Sequence, residues 1–525
     1  MKKKFVIIGG GTAGWLSALY VNKLYGTDAD ITLIESDEIG ILGAGEGTVP
    51  LFIHTLKYLD IDIYHFMIEC NATHKIGISF ENWNGDGVRY MHDFQKSYFN
   101  ETKDEVTKIQ GEYMGYLINK GLNPSDYGVA KKLAYANKAP VLKNGDEPCG
   151  YSFHFDAHLV AQYFRKLAEE RGVKRVEGKT KDFVVNQNGN LTSVLMETGY
   201  RYQADFWFDC SGFKRLIVGQ LYKTPWISYK DKLTVNSAIP FFLPQSETEL
   251  KPYTRAIAMK YGWMWQIPLQ NRWGCGYIFD DNYIDYEKAK QEVEEHLGHS
   301  IEINKLIKFR AGRFLNTWVN NVIAIGLSGG FTEPLEATSI MVAIAGLKDL
   351  SRTVLDNYNE RVIKEYNDFM GSYNDEIVDF LQFHYITKRT DTPFWKYYTE
   401  KSPLSDNLRN IVESYFNGKF FKIDENDKIV FAESNYMEVG YGLEFFDSDY
   451  FKKIYQQYED KGVVEKIHQH NSKSLKYVQD NAIPALSFLK LVKIAYDDNQ
   501  LEDFKKQLKE DKPKEKEKSK SWKLW

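Results

Sequence analysis

The stretch "KFVIIGGGTAGWLSALYVNKLYG" near the start constrains the chain more than any other. Four apolar residues, Phe5 to Ile8, run straight into Gly9-x-Gly11-x-x-Gly14, and a helical pattern follows. A second apolar run, "ITLIE", ends in Glu35, roughly 20 residues past the glycines as a dinucleotide-binding βαβ unit requires. Each residue type has a physical job there. Gly9 permits a tight turn. Gly11 lets the backbone of the loop, with Thr12 and Ala13 in it, approach a pyrophosphate at the helix N-terminus. Gly14 allows close helix packing, and Glu35 can accept hydrogen bonds from a ribose. A glycine turn that holds no nucleotide is the bland alternative, and the strand–helix–strand context outweighs it.

Two later stretches point to FAD rather than NAD. "ADFWFDCSGF" (204–213) is an apolar strand that ends in a small-residue turn at Asp209 to Gly212. "NNVIAIGLSGGFTEPLEATSI" (320–340) gives a strand, small residues including Gly326, and a helix start. Its backbone could approach an isoalloxazine ring with a helix dipole beside it. Together these resemble the FAD-binding monooxygenase-like fold. The expected class is therefore α/β: a Rossmann-type FAD-binding domain with a second, mostly helical substrate-binding region.

A chain of 525 residues is too long for one simple core, so two large lobes are expected. Residues 1–346 read as the FAD-binding core, with substrate-site insertions near 80–150. Residues 347–507 repeat apolar positions at threes and fours and read as the mainly helical substrate domain. The Lys/Glu-rich end, 508–525, is too poor in apolar side chains to fold alone and reads as a disordered tail. The net charge of −5 gives no electrostatic reason to expect a nucleic-acid partner. Four scattered cysteines without a C-x-x-C pair argue for a reduced interior, with no metal site and no disulfide framework. "MKKKFVII" resembles a signal peptide briefly, but its apolar run breaks into glycines. No run is long enough to span a membrane, so a cytoplasmic protein is expected. An aromatic content of 15% is compatible with self-association and with aromatic-lined surfaces.

"GWMWQIP" (262–268) places Trp263 and Trp265 at i and i+2, on one face of an extended strand, with Pro268 to stop it. Taken alone, such a pair is more often core. Here it coincides with "GAGEGTVP" (43–50), "THKIGISFENW" (73–83) and "FTEPLEATS" (331–339). These four motifs, in this order, resemble the flavin-dependent tryptophan halogenase family. Smaller echoes are "YMHDF" (90–94), "YSFHFDAHLVAQYFRKLAEERGV" (151–173) and "HYITKRTDTPFW" (384–395). The resemblance covers residues 1 to about 400.

The resemblance implies that reduced flavin (FADH2) and O2 oxidise a halide ion to hypohalous acid. The tryptophan strand walls the flavin off, and the oxidant travels to a separate aromatic site. Gly45, Glu46 and Gly47 join the cofactor-binding residues. Lys75 matches the catalytic lysine, which would hold hypohalous acid or carry the halogen as a haloamine. For most lysines a solvated strand face is the better reading, and only the family match overturns it here. Glu336 matches the active-site glutamate, a general base for the arenium proton; Glu333 is assigned a structural role. Thr338 and Ser339 lie where the family binds halide through backbone N–H groups. The family commonly has Ser-Thr-Gly where this chain has Ala337-Thr338-Ser339. A serine in place of glycine removes freedom at positive φ and adds a side chain, which opens the halide preference to question. Bromide or iodide is expected to be used better than chloride, since larger halides are more easily oxidised.

His92 and Phe94 match a His-x-Phe pair that sandwiches the aromatic substrate, with Asp93 in place of the usual proline. A core His and Phe on a strand is an equal alternative. Phe394, Trp395, Tyr397 and Tyr398 could line more of the pocket, although helical aromatics are more often core. The family's tryptophan-clamping loop has no match, which argues against free tryptophan as substrate. No second glycine fingerprint marks a nicotinamide site, so a separate flavin reductase is the expected partner of an enzyme acting on a small aromatic molecule. The alternative is a flavin-dependent aromatic hydroxylase (monooxygenase). Lys75 together with W-x-W-x-I-P speaks against it.

Overall fold

A central parallel sheet carries the nucleotide-type half of the molecule. The computed structural model describes residues 2–40, 46–94, 113–122, 124–303, 305–416, 430–445, 449, 453, 456 and 461–510. Residue contacts divide the chain into two interleaved units. The first comprises 1–72, 155–241 and 278–378, and the second 73–154, 242–277 and 379–525.

In the first unit the sheet has the order Trp318–Val319, Val322–Ala324, Phe206–Asp209, Lys3–Ile8, Ala29–Glu35, Lys174–Glu177. All neighbours are parallel except the edge pair Trp318–Val319 and Val322–Ala324. The reason is local. Within Lys3–Ile8 and Phe206–Asp209, the stretches Phe5 to Ile8 and Phe206 to Phe208 are continuous buried apolar runs, as strands covered on both faces must be. The helix Thr12–Tyr25 is the crossover to Ala29–Glu35, and its Trp15, Leu16 and Leu19 are buried. Asp209 ends its strand fully buried, yet its carboxylate is satisfied. It accepts from the Ser211 amide at 3.1 Å and hydroxyl at 2.6 Å, and from the Ile217 and Val218 amides at 2.8 and 3.0 Å. Four donors hold the turn after the strand in one shape.

In the second unit, the strand Thr73–Lys75 pairs antiparallel with Ser152–Phe155, setting Thr73 opposite His154 and Lys75 opposite Ser152. Five neighbouring strands of a seven-stranded sheet follow in the order Arg272–Phe279, Gly262–Pro268, Thr254–Ala258, Gly77–Glu81, Arg89–Asp93. After it the chain is mainly helical, including Pro393–Glu400, Asp406–Phe416, Glu433–Gly442, Lys461–Asn481 and Ala485–Asp497.

Phe394, Trp395 and Tyr398 belong to the core of this unit rather than to a pocket wall. Trp395 meets Trp83 edge to face at 5.7 Å, Tyr398 stacks on Tyr385 at 4.3 Å, and the Trp395 indole donates to the Met259 carbonyl at 2.8 Å. The amphipathic helix buries these rings and leaves Tyr397 half-buried, so the bland reading of helical aromatics holds for them. The C-terminal stretch read as a tail lies, from residue 511 on, outside the described residues. Among the described residues no helix is long and apolar enough to cross a membrane.

Candidate active site

The glycine loop of the first unit is built for close approach. A Cβ at Gly9 would lie 2.2 Å from the Cys210 carbonyl oxygen, and one at Gly14 only 1.9 Å from that of Gly9. Gly9 also has φ +114°, a conformation open to glycine. At Gly11 a Cβ would meet no atom of the described residues within 4 Å. Gly11 precedes the helix and offers no side-chain cap, and no acidic residue follows in the first turn. The N–H groups that open the helix at Thr12 and Ala13 have no intrahelical partners, which suits an anionic ligand. Glu35 ends the second strand and points back to the loop, where a Cβ at Gly10 would fall 1.4 Å from its Oε2. Its other oxygen accepts from Arg175 Nε at 2.6 Å. Gly326, at φ +71°, packs onto the same helix, since a Cβ there would lie 2.9 Å from that of Ala13. The loop therefore fits a dinucleotide such as FAD. Gly45 lies outside the described residues. Glu46 and Gly47 form a short extended pair, and burial pushes the Glu46 carboxyl up to about 7.

Glu333 and Glu336 are both buried in the loop before the helix Thr338–Lys348. A turn closes there, the Ala337 amide donating to the Pro334 carbonyl at 2.9 Å. The residue with positive φ is Ala337, at φ 57° and ψ 39°. That corrects the sequence argument. Ser339 stands in the right-handed first turn, where glycine's freedom is not needed, and the backbone strain falls two positions earlier. Thr338 and Ser339 open the helix with no side-chain cap and no acidic residue among them. Their amides face an end of the helix that favours an anion.

In the second unit Lys75 has no exposed surface, its side chain closed off from solvent. Its Nζ lies 5.4 Å from the ring centre of Phe94. Trp263 and Trp265 share the strand Gly262–Pro268, their rings 6.3 Å apart and inclined at 62°. Trp265 lies over Gly276 of the neighbouring strand, where a Cβ would sit 2.2 Å from two of its ring carbons. Pro268 is the last residue of that strand, and its carbonyl accepts from the Thr73 hydroxyl at 2.6 Å.

His92 is buried on the strand Arg89–Asp93. Its Nε2 lies 2.8 Å from Asn435 Nδ2, and its ring meets Phe380 edge-on at 5.4 Å. Asp93 is buried as well, and with Glu438 it raises the pKa of Lys131 against the opposing effect of burial. Lys131 Nζ lies 2.6 Å from Glu438 Oε1. Asn435, Lys131, Glu438, Thr73 and His154 escaped the sequence reading. Of these, Thr73 and His154 left a trace, Thr73 as the first residue of "THKIGISFENW" and His154 in "YSFHFDAHL", where it alternates with Ser152 along a strand.

Lys75, Phe94, the tryptophan pair and His92 thus occupy one unit, and the glycine loop, Glu336 and the Thr338 helix start the other. A family model described as tryptophan halogenase matches residues 4–458. The chain belongs to the tryptophan halogenase family. This halogenase is an α/β flavoenzyme of the oxidoreductase class, in a family that uses a flavin and a halide. It is 34% identical over 458 residues to a tryptophan 7-halogenase (RebH) of Lentzea aerocolonigenes, across 83% of this chain and 86% of that protein. It is 31% identical over 447 residues to a tryptophan 6-halogenase (SttH) of Streptomyces toxytricini, covering 78% and 83% respectively. Among solved structures it is similar to a flavin-dependent halogenase from Xanthomonas campestris. The TM-score there is 0.81 at 28% identity, over 94% of this chain and 98% of that one.

Proposed function

We propose that this halogenase carries out electrophilic halogenation of an electron-rich aromatic or heteroaromatic small molecule, with Lys75 delivering the oxidant. Bound flavin, in its reduced form and with O2, supplies the oxidation of halide to hypohalous acid. A separate flavin reductase supplies reduced FAD. Gly9, Gly11, Thr12, Ala13, Gly14, Glu35, Gly45, Glu46, Gly47 and Gly326 hold the cofactor. The amides of Thr338 and Ser339 hold the halide. Trp263, Trp265 and Pro268 form the wall that keeps the organic substrate from the flavin, and a closed site protects the oxidant from water. His92 and Phe94 face the substrate ring.

The step at the ring balances simply. The carbon–halogen bond forms as the oxygen–halogen bond breaks, and that bond's electron pair goes to oxygen. Oxygen takes the proton that Lys75 donates and leaves as water. Glu336 then accepts the ring proton from the arenium ion. The observation that carries this reading is the complete burial of the Lys75 side chain on a strand flanked by apolar residues. A lysine there for solubility would be exposed. Bromide and iodide are expected to outperform chloride, because the larger halides are more easily oxidised.

Purified protein with FAD, NADH and a flavin reductase is given indole- and phenol-type substrates with chloride, bromide or iodide, and products are read by mass spectrometry. A halogen mass shift that vanishes in Lys75→Ala supports the reading. A hydroxylated product that survives in Lys75→Ala would make the protein a hydroxylase and overturn it. Equal turnover with all three halides would remove the halide order alone.

A further inference from the structure

The strand that bears Lys75 is tied down by a side-chain relay which the reaction itself does not use. Thr73 and Lys75 lie two residues apart, so their side chains leave the strand on the same face. The cross-strand pairs put His154 opposite Thr73 and Ser152 opposite Lys75. His74 points to the other face, among the rings of Tyr151, Phe153 and Phe488.

The direction of each bond in the relay follows from elementary rules. The Thr73 hydroxyl lies 2.6 Å from the Pro268 carbonyl oxygen, which can only accept, so Thr73 donates to it. A hydroxyl has one proton. The 3.2 Å bond between Thr73 Oγ1 and His154 Nδ1 must therefore be donated by Nδ1–H. Burial first, and then the charge of Lys75, push the His154 pKa well below the usual histidine range, so the ring is neutral. Its one proton is on Nδ1, and Nε2 accepts from the Thr254 hydroxyl at 2.9 Å. Thr73, His154 and Thr254 are all buried, so water does not compete for these bonds. Thr254, His154, Thr73 and the Pro268 carbonyl form one directed chain. It runs from the strand Thr254–Ala258 across the lysine strand to the end of the tryptophan strand.

We propose that His154 is a positioning residue for Lys75, acting through Thr73 to fix the lysine strand against the carbonyl that ends the tryptophan strand. The inference rests on the reading of Lys75 as the group that delivers the oxidant. In the Nδ1–H form His154 presents no positive charge to the ammonium of Lys75, and the relay sets the height of the lysine along its strand. An error of about 1 Å in such placement costs on the order of 100-fold in a positioned reaction.

The test measures halogenated product formed per reduced flavin consumed, the rate of flavin oxidation, and the KM for the aromatic substrate. It compares His154→Asn, His154→Gln, Thr73→Val and Thr73→Ser, with Lys75→Ala as reference. Asparagine places an N–H near the position of Nδ1 and keeps the bond to Thr73. Glutamine reaches toward the Nε2 position and loses it. The expected result is a coupling ratio within about threefold of wild type for His154→Asn and Thr73→Ser. For His154→Gln and Thr73→Val it should fall about tenfold or more, with flavin oxidation and KM unchanged. Equal coupling in the Asn and Gln variants, or full coupling in Thr73→Val, would overturn the inference while Lys75→Ala still loses product. A lower Tm with coupling intact would likewise mark His154 as merely structural. Full coupling in Lys75→Ala would instead remove the assignment of Lys75, and the relay's role with it.

Discussion

The Nζ of Lys75 stands 5.4 Å from the ring centre of Phe94, within range for attraction between an ammonium and an aromatic face. In a desolvated setting that attraction reaches about 2 kcal/mol. Phe94 follows the strand Arg89–Asp93, and its amide donates to the Ile76 carbonyl at 2.7 Å, one residue from the lysine. The ring is therefore held beside Lys75 by backbone pairing. Phe94→Leu keeps the apolar volume and removes the ring face. Halogenation should slow roughly tenfold, equivalent to about 1.4 kcal/mol, while flavin oxidation continues at the wild-type rate. Single-turnover product formation and flavin absorbance, followed together, check both halves. Unchanged halogenation in Phe94→Leu would show that the ring contributes only packing.

Ala337 and Ser339 should respond in opposite directions to glycine. Ala337 sits at φ 57°, a region that costs a residue with a Cβ about 1 kcal/mol or more. Ala337→Gly relieves that cost and should raise stability by roughly 0.5–1 kcal/mol after glycine's extra unfolded-state entropy is counted. Ser339 is already helical, so Ser339→Gly should lower stability by roughly 0.5 kcal/mol. Thermal unfolding of the two variants side by side decides the matter. The reverse order would mean that the left-handed residue is at 339 after all.

What the sequence revealed and what it hid divide along a physical line. The Gly9-x-Gly11-x-x-Gly14 loop is legible because Gly9 and Gly14 answer steric demands on the backbone, and the contacts at Cys210 and Gly9 show that demand directly. The tryptophan pair is legible because a strand has a period of two. Backbone φ at a single loop position has no such signature, which is why the strain placed at Ser339 belongs to Ala337. Phe394 and Trp395 show the opposite limit, since the same aromatic spacing serves a pocket wall or a core. Partners far apart in the chain leave no mark at all. Asn435 meets His92 across 343 positions, and Thr73 meets Pro268 across 195.

Trp265 and Gly276 form a tight cross-strand contact that can be tested by a double-mutant cycle. A methyl group at 276 would lie 2.2 Å from two carbons of the indole, far inside any tolerable distance. Gly276→Ala must push the ring aside, and overpacking of this kind costs about 1–3 kcal/mol. In a Trp265→Leu background the same change should cost much less, leaving a coupling energy of at least about 1 kcal/mol. Denaturant unfolding of the four proteins measures it. Additive effects would mean that Trp265 does not rest on Gly276 in solution.

His74 should make the protein sensitive to mild acid. Its ring is buried among Tyr151, Phe153 and Phe488, and its Nε2 has no hydrogen-bond partner among the described residues. Burial lowers its pKa from 6.5 to about 3. In the unfolded chain the ring takes up a proton near pH 6.5, whereas the folded protein resists until about pH 3. Between those values the unfolded state binds more protons, so stability falls as pH falls. The stabilising contribution is complete above pH 6.5 and is lost progressively below it, at up to about 1.4 kcal/mol per pH unit. His74→Phe keeps a ring in the cluster and removes the titration. Unfolding free energies measured from pH 7 to 4.5 should therefore fall less steeply in the variant, by close to one proton's worth of slope. The carboxylates and His154 titrate in both proteins and cancel in the difference. Parallel curves would mean that His74 takes its proton as readily in the folded protein as in the unfolded one.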